Sequence, residues 1–379
     1  MQVDVLDPGE LSSGEVARWR QIQESSPELG SPFLAPQFAV AVARARPSTR
    51  VAVLSNASGV IGFFPYERRR WSTAAALATG LSDVQALVVA PTAELDLRRV
   101  LRACRISVWG FDHLLGHQAG LIGTASTRTV PEQSPAIDLG DGFETYEQRQ
   151  RRLSSSLFQS TGRKRRKLER DHGPVRLLLH SSDPAHMAQV LRWKSSQYRR
   201  TGRRDRFADA STTSLVRELF ECQEPTFSAP LTVLMAGDTM VAGHLGLRST
   251  STLAWWFPAY DPEFSAYSPG LILALELARA MPAAGLSLLD LGKGDEPYKE
   301  RLQNLRIPLL RGSAATSDTL ARLTRARNWP REQATKLVLE SPRLRGWARE
   351  TLNQVGALRD RAERLRSSAD RGGRAGEGA

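Results

Sequence analysis

The residues of this chain best suited to chemistry lie in two blocks of its C-terminal half. The first is Tyr267-Ser268-Pro269-Gly270-Leu271, which opens an apolar run. Ser268 suits a helix N-cap, Pro269 the first helical position, and Gly270 lets another group approach the backbone closely. A helix start of this kind carries partial positive charge and binds phosphate, each contact contributing about 0.3 to 1 kcal/mol when exposed and up to about 2 when partly buried. The same residues also read as a plain core helix, since Leu271, Ile272, Leu273, Leu275 and Leu277 make it apolar nearly all round. In the second block, Asp290-Leu291-Gly292-Lys293-Gly294-Asp295-Glu296-Pro297-Tyr298-Lys299, two acids flank a glycine-rich turn. Asp290 and Asp295 suit proton removal, Tyr298 suits protonation of a leaving group, and Lys299 suits holding an anion. His244 has the intrinsic pKa of a general base, or else serves as a hydrogen-bonded imidazole in its apolar run. Trp255, Trp256 and Tyr260 are candidates to line an acyl or sugar pocket, or to be core strand residues. Nothing in these patterns calls for a metal. The two cysteines, Cys104 and Cys222, have no neighbouring Cys to form a zinc or redox pair, and a reducing compartment is expected.

The elements that must position these residues read as two similar sets. Apolar runs at 51–54 and 60–66 flank the turn cluster Asn56-Ala57-Ser58-Gly59 and predict a hairpin. A strand at 83–90, a helix at 93–104 and a strand at 106–111 follow. Strands at 231–235, 240–247 and 253–257, a helix at 269–280 and a strand at 286–291 repeat that order. The repetition is one of pattern, without identity between the copies. Between them, 144–171 reads as one or two helices, with further helices at 183–200 and 212–223. After about Arg311 the chain reads as helical and Arg-rich, ending in a Gly- and Arg-rich tail expected to fray.

With 379 residues, two or three domains are expected at roughly 100 to 200 residues each. A composition 41% hydrophobic and 24% charged excludes wholesale disorder. The formal net charge of +12 points to an anionic partner. Its densest source is Arg163-Lys164-Arg165-Arg166-Lys167, where Arg163, Lys164 and Arg166 are candidate anion or substrate ligands; a solvated helix face is the alternative. Asp4, Asp7 and Glu10 stand where a signal peptide would carry cations, so a cytoplasmic location is expected. Glu276, Arg279 and Pro282 interrupt the longest apolar stretch, so no transmembrane segment is expected.

Together, Ser268-Pro269-Gly270 and the Asp-x-Gly-x-Gly-x-x-x-Tyr-Lys of Asp290 to Lys299 resemble the CelD/BcsL (BioF2-like) acetyltransferase family of the GCN5-related N-acetyltransferase (GNAT) superfamily. That family is related to the FemAB-type tandem GNAT proteins. The resemblance covers roughly residues 31–313. It includes Pro32-Phe33-Leu34, Gly62-Phe63-Phe64-Pro65, Leu81-Ser82-Asp83 and the basic run ending Leu168-Glu169-Arg170-Asp171-His172-Gly173. It departs from the usual phosphate loop, which begins with Gln or Arg; Ala266 or Tyr267 stands near that position, and Ile272 replaces the second small residue. The resemblance implies an α/β fold of two tandem GNAT modules with mixed, mainly antiparallel sheets flanked by helices, plus a helical C-terminal extension. The expected organisation is 1–140 as an N-terminal module shaping the acceptor groove without a cofactor and 141–225 as a basic helical region. The acyl-CoA core is expected at 226–313 and the extension at 314–379. Acetyl-CoA is the implied donor, held by Tyr267, Ser268, Pro269, Gly270, Leu271 and Lys299. The implied acceptor is an amine or hydroxyl of a cell-envelope or polysaccharide-related molecule. A nucleic-acid or anionic-glycan binder working through the basic helix, or a FemAB-like transferase using aminoacyl-tRNA, remains the alternative.

Overall fold

The computed structural model describes residues 1–294 and 296–321. Its first half runs β1 (Gln2–Leu6), α1 (Ser13–Glu24), α2 (Pro36–Ala45), β2 (Thr49–Asn56), β3 (Gly59–Arg68), β4 (Thr73–Ala76), β5 (Val88–Val89), α3 (Leu97–Ala103), β6 (Val108–Leu115), α4 (Ala119–Ile122) and β7 (Ser126–Asp138). Helices α5 (Phe143–Leu153) and α6 (Ser155–His172) lead into the second half. That half runs β8 (Val175–Leu178), α7 (Pro184–Arg200), α8 (Ala210–Glu221), β9 (Gln223–Glu224), β10 (Phe227–Ser228), β11 (Leu231–Ala236), β12 (Thr239–Arg248), β13 (Thr252–Tyr260), α9 (Pro269–Ala280), β14 (Leu288–Asp290), α10 (Pro297–Leu302) and β15 (Leu305–Ala315). Each half therefore contains a strand, two helices, three antiparallel strands, a helix, a strand parallel to the third, and a last long strand.

The local signals are ordinary ones. Ser12 and Glu15 cap α1 reciprocally, Ser12 Oγ accepting from the Glu15 amide at 3.3 Å and the Glu15 carboxylate from the Ser12 amide at 2.8 Å. The hairpins turn at Asn56 to Gly59 and at Gly237, as the turn clusters predict.

All strands join one sheet in the order β1-β2-β3-β4-β6-β15-β7-β14-β13-β12-β11-β8, with β5 beside β3 and β9–β10 at the end of β12. Among the described strands only β4–β6 and β13–β14 pair in parallel. The centre of the sheet is exchanged between the halves. Strand β7 leaves its own half to pair with β14 (Ala136↔Asp290), and β15 returns to pair with β6 (Leu115↔Leu309). The two cross-overs then pair with each other from Leu305↔Ala136 to Ala314↔Ser126.

One apolar core is common to both halves and contains Trp19, Phe33 and Phe38 with Leu215, Leu219, Trp256 and Phe257. Phe33 meets Trp256 edge-on at 5.7 Å, and the Trp256 indole donates to the Leu81 carbonyl at 2.8 Å. A second core lies under α6 and α9, and a third under α3.

Two expectations need correction. The strand at 83–90 is only Val88–Val89; the rest is a loop, pinned where Gln85 donates to Asp112 Oδ1 at 2.6 Å and accepts from the Asp112 and His113 amides. The chain is not helical from Arg311, because β15 continues to Ala315 with a partner on each side. In the region 141–225, expected to lead into the second module, β8 pairs with β11, α7 packs on β12 and β13, and α8 packs on α2 of the first half. Residues 322–379, which hold most of the expected extension, lie outside the described residues.

Strand exchange predicts that neither half is an independent folding unit. A chain ending at Asn304 loses β15, and with it partners of both β6 and β7. It should lose the single cooperative transition of the full chain in calorimetry, and retention of a transition belonging to either half alone would contradict the exchange.

Candidate functional site

Between the halves lies a cavity of about 1050 Å³. Its walls come from the loop after β4 (Thr79, Gly80, Leu81, Asp83), from α7 and the loop beyond it, from the end of β13, from the start of α9, and from the segment joining β14 to α10. The site is thus composite: the parallel splay of β13 and β14 opens the second half, and the first half closes it.

The α9 start is where the sequence places it, with different capping. Ser268 adopts a left-handed conformation (φ 54°, ψ 53°) and its hydroxyl makes no cap bond; it accepts instead from Lys164 Nζ of α6 at 2.7 Å. Pro269 has no N–H, and the Leu271 and Ile272 amides turn back onto the Ser268 carbonyl at 3.0 and 3.2 Å. Gly270 therefore supplies the first-turn amide left to a ligand, together with the helix dipole. A Cβ at Gly270 would meet only Tyr260 Cδ1, at 3.5 Å, so the chain itself does not require glycine there. Ser268, Gly270, Leu271, Trp255, Trp256 and Tyr260 all line the cavity. Tyr267 and Pro269 do not: Tyr267 donates to Asp171 at 2.7 Å beneath the Lys167 ammonium, and Pro269 is buried. Arg163 and Arg166 are exposed on α6, away from the cavity wall. In the first half the corresponding helix start is closed by the Asp96 carboxylate, which accepts from the Arg98 and Arg99 amides.

The turn after β14 is held by buried polar bonds. Asp290 is 2% exposed and does not reach the cavity; its carboxylate accepts from the Ser134 hydroxyl of β7 at 2.7 Å and from the Gly292 amide at 3.0 Å. Lys299 lines the wall but is not free to hold an anion. Its ammonium donates to the carbonyls of Gly292 (3.0 Å) and Lys293 (3.4 Å) and pairs with Glu296 at 3.1 Å. Gly292 (φ +71°) faces Asp83, whose Oδ2 would be 2.9 Å from any Cβ, and at Gly294 a Cβ would come within 2.1 Å of Glu296 Oε2. Asp295 lies outside the described residues.

The sequence reading did not single out Asp83 as a site residue. It enters the cavity from the first half, where burial and then the neighbouring Asp290 carboxylate push its pKa up to about 6. His113, Lys299 and Arg206 oppose that rise only in part. Lys194 of α7 donates to the Pro258 carbonyl at 3.0 Å, and burial lowers it to about 8. Tyr298 faces the cavity with burial raising its pKa, so its hydroxyl keeps its proton; the Trp255 indole N–H lies beside it outside hydrogen-bond geometry.

His244 is taken out of reach. It is fully buried on β12, stacked on Trp255 at 4.2 Å, with Nε2 3.2 Å from the Ala254 carbonyl, and desolvation lowers it to about 3. An imidazole so held stays neutral and does not reach the cavity.

Eight cations and three carboxylates line the cavity. Several cations are committed: Arg46 to Glu67, Arg203 and Lys299 to Glu296, and Lys293 to Glu132. Arg204, Arg206 and Arg301 have no carboxylate partner among the described residues, and Arg206 stands 5.9 Å from the Tyr198 ring. The signal in the sequence was Arg203-Arg204-Asp205-Arg206 following Thr201-Gly202, a cationic loop between two helices. Among the described residues no group of side chains is arranged to hold a metal, and no helix is long and apolar enough to cross a membrane.

The clamp on the turn predicts that Lys299→Met, which leaves two carbonyls without their donor and Glu296 with Arg203 alone, lowers stability by about 2 to 3 kcal/mol, the partial exposure of Glu296 reducing the loss. Urea unfolding measures it; an unchanged midpoint would show that the turn holds without the clamp.

Residues 155–300 match a family model described as an acetyltransferase (GNAT) domain. No curated protein matches the chain. Among solved structures, FemX is similar with a TM-score of 0.56 and 10% identity, over 83% of this chain and 96% of that one. The DUF2156 C-terminal domain described for a lysylphosphatidylglycerol synthetase of Agrobacterium fabrum has a TM-score of 0.52 and 13% identity, over 82% and 94%. A conserved protein of unknown function from Bacteroides thetaiotaomicron gives 0.52 and 13%, over 83% and 99%. At these identities the likeness is one of fold. Residues 155–300 thus resemble a GNAT-type acetyltransferase domain, in a fold whose two halves repeat one topology and share one sheet.

Proposed function

We propose that the protein is an acyltransferase that moves an acetyl or other acyl group from coenzyme A to an amine or hydroxyl of an anionic acceptor. A cell-envelope or polysaccharide-related acceptor fits the charge of the cavity, and an acyl-CoA donor would place the reaction in the cytoplasm. The observation that carries the reading is the two-sided cavity. The α9 start faces it from the second half and Asp83 from the first, with room between for both substrates.

In this reading the Gly270 amide and the α9 dipole hold the donor's diphosphate. Lys164 positions the Ser268 turn, and Trp255, Trp256 and Tyr260 exclude water around the acyl group. Asp83 takes the proton of the attacking amine or hydroxyl as the bond to the acyl carbonyl forms. The C–S bond then breaks, and Tyr298 gives its proton to the departing sulfur. The elevated pKa of Asp83 keeps it a competent base near neutrality, and Asp290 has the supporting task of raising it. Arg204, Arg206 and Arg301 hold the acceptor's negative group.

A second donor class has one specific observation in its favour. The contact from Lys164 to Ser268 brings the cationic face of α6 to the same entrance, which suits a donor attached to a polyanion such as tRNA. The two donors differ in salt dependence.

Isothermal titration with acetyl-CoA should show saturable, salt-tolerant binding that Gly270→Glu abolishes, because a carboxylate at the helix start repels diphosphate while favouring the helix itself. No heat with the wild-type chain, together with tRNA binding that falls steeply with salt, would favour the other donor. With an acceptor in hand, kcat/KM should rise with pH through about 6 as Asp83 loses its proton. Asp83→Asn should remove that limb and lower the rate by roughly 10² to 10⁴.

A further inference from the structure

The turn between β3 and β4 presents the most exposed large apolar side chain among the described residues. Trp71 is 90% exposed and is preceded by Arg68, Arg69 and Arg70, all exposed. It is held there by the backbone. Trp71 (φ 60°) and Ser72 (φ 53°) are both left-handed, a costly conformation for residues with side chains. The Ser72 carbonyl accepts from the Ser107 amide at 2.7 Å, and the Thr73 hydroxyl donates to the Arg70 carbonyl at 2.7 Å. The first of these bonds brings the end of α3 to the same place, adding exposed Arg102 and Arg105, the latter also left-handed (φ 57°).

Arg69 pairs with buried Glu67, whereas Arg68, Arg70, Arg102 and Arg105 form no ion pair with a carboxylate of the described residues. A strained turn thus holds an indole out into solvent beside four guanidinium groups that have no carboxylate partner among the described residues, and packing among those residues gives no reason for it.

We propose that this turn docks the protein on an anionic lipid bilayer. Trp71 enters the headgroup region, where an amphipathic ring is favoured, and Arg68, Arg70, Arg102 and Arg105 pair with lipid phosphates. A convex tip with one aromatic residue fits a planar surface. A single-stranded nucleic acid requires a groove with successive stacking platforms, which this tip lacks. Glu67 binds both Arg69 of the turn (2.9 Å) and Arg46 of the cavity wall (2.9 Å), so one buried carboxylate ties the docking element to the wall of the site. The inference does not depend on the acyltransferase reading.

The test is flotation of the full chain with vesicles of phosphatidylcholine alone and with vesicles in which about one third of the lipid is phosphatidylglycerol. The wild-type chain should float only with the anionic vesicles. Trp71→Ser should weaken the association about tenfold. Arg70→Gln with Arg105→Gln should weaken it and flatten its salt dependence, and Trp71→Phe should keep most of the binding. Bromine-labelled lipid should quench part of the wild-type tryptophan fluorescence, a part missing in Trp71→Phe. The Arg-rich sequence after residue 321 is common to all variants, so differences between them report on the tip. Equal flotation of wild type and Trp71→Ser, no flotation at all, or a Trp71-dependent affinity for single-stranded RNA in place of vesicles would overturn the proposal.

Discussion

The exchange of β7 and β15 across the middle of the sheet is the constraint on which the rest of the structure depends. Because each half borrows a strand from the other, the splay between β13 and β14 cannot drift relative to the loop after β4. The Asp290 carboxylate marks how tightly the junction is fixed, bonding Ser134 of the borrowed strand on one side and the Gly292 amide on the other. Glu132 of the same strand ties in Lys293 and Arg311. A cavity built across such a junction can draw its chemistry from both halves, and Asp83 opposite the α9 start follows from that geometry.

The electrostatics of the site separate structural charges from available ones. Lys299 and Glu296 hold the glycine turn, and Arg46 shares a buried Glu67 with Arg69; removing Lys299 or Arg46 would leave each carboxylate with one cation in place of two, Arg203 for Glu296 and Arg69 for Glu67. Two neighbouring carboxylates, Asp83 and Asp290, cannot both ionise easily in such surroundings. Burial raises the pKa of both; the Ser134 hydroxyl and Gly292 amide oppose that rise at Asp290, while at Asp83, which faces the cavity, the Asp290 charge adds to it. Arg204, Arg206 and Arg301, which have no carboxylate partner among the described residues, line the cavity.

Much of this architecture was legible in the sequence, and the parts that were not share a cause. The hairpins, α9 and β14 carry local signals: alternating apolar residues, turn clusters, and a Ser-Pro-Gly helix start. Strands β7 and β15 carry none. They contain Pro131, Pro135 and Pro308 and pair across nearly half the chain, so no local period betrays them. The same distance hid Asp83, which becomes a site residue only when β4 is set against the second half. His244 and Lys299 illustrate the converse. Their types suggested chemistry, but one is sealed behind Trp255 and the other spends its three protons on the turn. Ser268 was placed correctly at a helix start, yet its hydroxyl answers to Lys164, a partner 104 positions away in sequence.

A crystal structure of the full chain with acetyl-CoA tests the central claim most directly. The account predicts the diphosphate against the Gly270 amide and the thioester in the cavity between Tyr298 and Asp83. Coenzyme A seated against the first half's α3, or bound outside the cavity with the α9 start untouched, would contradict it.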